Sequence, residues 1–153
     1  MANASTTGFG FRPIKKVGQT ENVGALSEYS VAASSALISH AAMVQLTADG
    51  VVLASGNTDA NNLGTLNGVF FTDADTNKPT FANFSKASNT ATDIVAFVND
   101  DPRQVYEIMS ADTAFNQNEV GGCADQVAAV GTTPLFISKS KISATTGASI
   151  AQL

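Results

Sequence analysis

Apolar residues recur along this chain in short alternating runs, broken by Gly, Asn, Asp and Ser, which is the period of strands and not of helices. The clearest run lies between Asp93 and Met109. On its first limb Ile94, Ala96 and Val98 point one way and Val95 and Phe97 the other, because successive strand side chains alternate. Both faces are apolar, so this strand is expected to be covered on both sides. On the second limb Tyr106 and Ile108 oppose Val105, Glu107 and Met109. Between the limbs, Asp100-Asp101-Pro102-Arg103 is turn chemistry: Pro102 fixes φ, and an aspartate before it accepts from backbone N–H groups. The pattern predicts a central β-hairpin.

The remaining runs follow the same logic. Ile14–Val17 is a short strand closed by Gly18, and 20–24 is a polar loop. Ser27, Tyr29 and Val31 oppose Glu28 and Ser30; residues 33–39 fit no period. Met43–Thr47 and Val51–Ala54 flank Ala48-Asp49-Gly50, a strong hairpin signal because Gly accepts positive φ without steric cost. After a loop over 56–62, Leu63–Phe71 reads as a strand in which Gly64 and Gly68 mark a bulge or a close approach. Phe81 and Phe84 begin a strand or plug one end of a barrel. Val120, Cys123, Ala124, Val127 and Ala128 fall near helical spacing, predicting one short helix within Glu119–Val130, although Gly121-Gly122 opposes it. Leu135–Ile142 is a final strand, and 144–153 is a small, polar tail. Short strands at about ten-residue spacing predict a mostly β fold: a single antiparallel β-barrel or sandwich with at most one short helix.

Two segments follow from this division. Residues 1–13 read as an extended N-terminal arm, because Gly8-Phe9-Gly10-Phe11 sets two rings in a permissive backbone and Arg12-Pro13 favours extended conformation. Residues 14–153 form the β-rich globular domain. Rings on an arm are worth keeping only if they dock, either on the protein's own body or on a neighbour. Phe9, Phe11, Arg12 and Pro13 are therefore the candidate contact residues.

Composition narrows the function. Charged residues make up 14% of the 153 residues against a usual ~25%, while 44% are hydrophobic. Such a surface meets another protein without desolvating many charges. A net charge of −5 and a pI near 4.5 oppose general nucleic-acid binding, which needs a basic patch for phosphates. No apolar run approaches the ~20 residues of a membrane-spanning helix, and Met1–Thr7 has neither the charged start nor the apolar block of a signal peptide. The chain is expected to fold in the cytoplasm where it is made.

Candidate chemistry is thin. One cysteine, Cys123, excludes an intramolecular disulfide and is expected to be a buried free thiol. His40 is the lone histidine, and nothing around Cys123 supplies the cationic setting that a Cys–His pair needs. Asp73-Ala74-Asp75-Thr76-Asn77 begins like a calcium loop, then puts Lys78 where Gly is required and Phe84 where a bidentate Glu is required. An Asx-rich turn accounts for it. Asp100 and Asp101 read as turn residues without a partner acid. No enzyme, metal or cofactor is expected.

Several phrases carry a resemblance: Met1–Pro13, Leu66-Asn67-Gly68-Val69-Phe70-Phe71, Lys78-Pro79-Thr80-Phe81-Ala82-Asn83-Phe84, and Val98-Asn99-Asp100-Asp101-Pro102 followed by Val105-Tyr106-Glu107-Ile108. Together they resemble virion structural proteins of marine tailed phages. In that group the resemblance implies a small β-rich capsid decoration (cement) protein. It would bind the major capsid protein on the outer surface of the shell, with self-association left open and neither nucleic acid nor membrane as partner. The group runs on past the position of Leu153, so the resemblance implies a shortened or incomplete chain and leaves closure of a barrel open. A tail or neck component is the alternative. A carbohydrate-binding module is disfavoured by the absence of Trp and the presence of only two Tyr.

Overall fold

The alternating runs become ten short strands in the computed structural model, which describes residues 7–18, 26–33, 35–48, 50–56, 61–111 and 115–143. They are β1 (Arg12–Lys16), β2 (Ser27–Val31), β3 (Met43–Leu46), β4 (Val51–Ala54), β5 (Asn62–Thr72), β6 (Pro79–Ala82), β7 (Val95–Asn99), β8 (Gln104–Glu107), β9 (Asp125–Val127) and β10 (Lys141–Ser143). The expectations for residues 1–6, the 20–24 loop, most of the 56–62 loop and the 144–153 tail lie outside the described residues.

Six strands share one sheet in the order β3-β4-β2-β7-β5-β6, and β3 also pairs with β5. The pairings therefore run round and return to β3, and the sheet curls into a barrel-like body. The mostly β expectation holds, with one departure: β2 and β4 are parallel, while the other ladders between named strands are antiparallel. Val31, Val44, Val52, Leu66, Val69, Ile94, Ala96 and Val98 fill the interior. Tyr29 and Val31 turn inward from β2 while Glu28 and Ser30 stay exposed, as the alternation predicted.

Of the two expected hairpins, one forms and one does not. The β3–β4 hairpin is present, with Gly50 at φ 74° and its N–H bonded to Thr47 C=O at 3.0 Å; Asp49 lies outside the described residues. The central hairpin is not. Its strands and turn are there, with Asp101 accepting from Arg103 N–H at 2.8 Å, but β7 and β8 do not pair. Both edges of β7 are occupied, one by β2 and the other by β5, so β8 has no edge to join. It turns away and pairs with β1 as a separate ribbon. The aspartate turn steers the chain off the sheet; it does not fold it back.

The C-terminal third also departs from expectation. In place of a helix over 119–130 there is one 3₁₀ turn, Gln117–Glu119, capped by Asn116 and ended before Gly121 at φ 84°. Asp125–Val127 is then a strand paired with Lys141–Ser143. Only the end of the predicted 135–142 strand is in a ladder, because Phe136 takes a positive φ of 48° and breaks the extended run.

The described part of the N-terminal arm lies against the body. Gly8 and Gly10 pass so close to the Lys139 and Ala41 carbonyls that a Cβ would sit 2.2 and 2.4 Å from those oxygens. Phe11 donates its N–H to Ala41 C=O at 2.8 Å, and its ring, 1% exposed, meets Tyr106 edge-on at 6.1 Å. Of the two docking sites open to these rings, Phe11 takes the protein's own body.

Candidate functional site

The surface that stands out begins with a bulge. Along β5 the partners on β7 run Leu66↔Val98, then Gly68↔Phe97, skipping Asn67. The extra residue reverses the side-chain phase, so that Leu66, Val69 and Phe71 all point inward although their numbers do not alternate evenly. Downstream, Gly68 and Phe70 are left on the outer face. Phe70 opposes Phe81 of β6 on one side and Val95 of β7 on the other.

Gly68 leaves a gap in that face, and the flanking rings close over it. Phe81 and Phe97, on the strands either side of β5, stack at 5.5 Å with an interplanar angle of 11°. Phe70 leans on Phe81 at 5.3 Å. A Cβ at 68 would stand 2.9 Å from Ala82 C=O, so the position admits little else than glycine. Phe97 and Phe70 are half-buried; Phe81 remains 71% exposed. Leu26 and Asn83 extend the patch into a shallow groove of about 480 Å³, and the exposed Glu28 is in register with Phe97 on the neighbouring strand. The face expected to be covered is thus open on one side.

Leu26 and Asn67 also line a second, more enclosed recess of about 350 Å³, whose other walls include Arg12, Pro13, His40, Thr65 and Asn99. His40 shares a 2.9 Å hydrogen bond through Nδ1 with Asn67 C=O, at the bulge itself. Asn99 is buried and its orientation is fixed through Gln104. That residue donates Nε2–H to the Lys15 and Val105 carbonyls at 2.9 and 3.0 Å. Its Oε1 is thereby left to accept from Asn99 Nδ2 at 3.2 Å. Asn99 Oδ1 then has no partner.

Of the sequence candidates, Arg12 and Pro13 line this recess, Phe9 is half-buried, and Phe11 is internal. Arg12 opens β1 with its side chain 68% exposed, 3.6 Å from Glu107. The sequence reading missed the Phe70–Phe81–Phe97 face, because only the bulge and the β5–β6–β7 order bring the three rings together. The available signal was a glycine opposite a strand phenylalanine.

Three aspartates are held by contacts within the fold. Asp100 accepts from Ser27 Oγ at 2.9 Å and Tyr29 OH at 2.6 Å; that bond to the carboxylate raises the Tyr29 phenol above its ordinary pKa. Asp101 meets Lys16 Nζ at 2.6 Å, and this bond, helped by Arg103 N–H, lowers its carboxyl. Asp73 accepts from the Thr76 backbone and hydroxyl and from Asp75 N–H, which holds it low too. That is the expected Asx turn, and it closes the β5–β6 hairpin. Among the described residues no cluster of three or more His, Cys, Asp or Glu side chains suits a metal. Cys123 is exposed, contrary to expectation, because the helix that would have buried it is a 3₁₀ turn and a glycine pair. No described helix is long and apolar enough to cross a membrane.

No family description, curated protein or solved structure matches the chain.

Proposed function

We propose that the protein is a virion component of the capsid decoration type, which binds the major capsid protein on the outer surface of the shell and stabilises the head. The observation that carries this reading is the outer face of β5–β7, where Phe81 is 71% exposed over Gly68 on a hydrogen-bonded sheet. A contiguous apolar patch on a small protein marks a contact surface. Strands hold it in a fixed shape, and few charges need desolvation when it is covered. Binding to assembled shell and not to free subunits stabilises the assembly by mass action. The role is structural and not enzymatic, and Arg12 and Pro13, in the adjoining recess, form its rim.

Co-sedimentation with matching expanded capsids that lack the protein, followed by heating of the pellet, tests the proposal. Saturable binding with a raised disruption temperature is expected. Leu26→Asp, which places a charge between groove and recess, should weaken binding about tenfold while leaving the fold intact. Absence of binding to shells sinks this reading. Rings or tubes of the protein alone, seen by electron microscopy, would then favour a tail or neck component.

A further inference from the structure

We propose that the free edge of β6 is a self-association site, at which two copies pair antiparallel about a two-fold axis at Phe81. The β6 strand ends the six-stranded sheet, with β5 on one side and, among the described residues, no strand on the other. The turn before it fixes which backbone groups face out. Asp73 N–H donates to Lys78 C=O at 3.0 Å. Hydrogen-bonded pairs alternate along an antiparallel ladder, so Phe71 with Thr80 and Val69 with Ala82 exchange bonds across β5–β6. Phe81 therefore directs its N–H and C=O away from β5. Pro79, which has no N–H to offer, occupies the matching outward position at the start of the strand.

Edge strands are usually blunted by charge, proline or a bulge. Here Pro79 does so at one end, and past the other end Asn83 Nδ2 donates to Leu135 C=O at 3.1 Å and Ser85 pairs with Ile38, which leaves the edge open at Phe81. From Pro79 to Ser85 there is no charged residue, and the centre carries the most exposed phenylalanine of the outer face. The lack of charge suits a second copy, since at a two-fold axis through residue 81 a charge there would meet its own like, and Phe81 puts two uncharged rings together instead. In that register the two Phe81 residues exchange both backbone bonds, and each Asn83 N–H faces a Pro79 carbonyl. The missing proline N–H falls at the rim, where water satisfies the carbonyl left over.

Pairing in the plane of the sheet leaves the outer face open. The stack of Phe97 on Phe81 in one copy continues into Phe81 and Phe97 of the other, so the dimer presents the aromatic face twice. A single short edge is a small contact, and the dissociation constant is expected on the order of 100 µM. The inference does not depend on what the face binds, because dimerisation is measured without any shell.

Sedimentation equilibrium of the full chain over rising concentration is the first test, with amide exchange and filtered NOEs on mixed isotope-labelled protein. A monomer–dimer equilibrium is expected, with the Phe81 amide protected as dimer forms and an NOE between Phe81 rings of different copies. Phe81→Lys, at an exposed position where two lysines would meet, should weaken dimerisation about tenfold with an unchanged circular dichroism spectrum. The proposal fails if the chain stays monomeric at about 1 mM, well above that constant. It fails equally if a dimer forms whose intermolecular NOEs lie elsewhere or which Phe81→Lys leaves intact.

Discussion

Gly64 shows how little room the curled sheet leaves. A Cβ there would stand 2.1 Å from Asn99 C=O, a backbone atom that cannot swing aside. Gly64→Ala should therefore cost about 2–3 kcal/mol, read as a lowered urea midpoint with an unchanged slope. Cys123 tests the opposite situation. Its exposed thiol should react with a disulfide reagent in native buffer at the rate of a small free thiol, and a reaction seen only after denaturant is added would contradict the structure. Both positions follow from their surroundings and not from their residue types, and for Cys123 the type suggested burial.

Strand order gives individual elements their roles. Lys16 of β1 and Asp101 of the β7–β8 turn form the ion pair that clips the β1–β8 ribbon to the end of β7. The Asp101 carboxyl is lowered in the folded protein, so its contribution is complete above the ordinary aspartate value. It is lost as pH falls through the lowered one, below about 4. Asp101→Asn should thus lower the melting temperature at neutral pH, with the gap to the native chain closing in acid. A gap that stays constant down to about pH 2 would mean the pair does not act through charge. The β5–β6 hairpin, held by the Asp73 turn, has no charge of its own between Pro79 and Ser85, which is why its edge and its aromatic face are both available.

For the whole molecule, binding through the β5–β7 face should depend weakly on salt. The groove on that face is lined mainly by Phe and Leu beside asparagine, and Arg12 lies in the adjoining recess. Shell occupancy should change by about twofold or less between 0.1 and 1 M NaCl, over which exposed charge pairs are screened. A steep fall would place the contact on charged residues instead.

Read along the chain, the alternating runs were enough to determine a mostly β protein. The turn residues located its breaks, and the low charge indicated a surface suited to contact. Gly64 and Gly68 were legible as bulge or close-approach positions, and Asp73–Asn77 as an Asx turn, because those constraints are local. Local pattern could not say that β7 has both edges filled, so that the expected hairpin opens and β8 joins β1. Nor could it show that a bulge at Asn67 reverses the phase of β5. Pairing partners are set by competition for a limited number of strand edges, and that competition is decided only once the sheet has curled. The aromatic face and the open β6 edge result from it: three phenylalanines spread between positions 70 and 97 meet because β5 lies between β6 and β7.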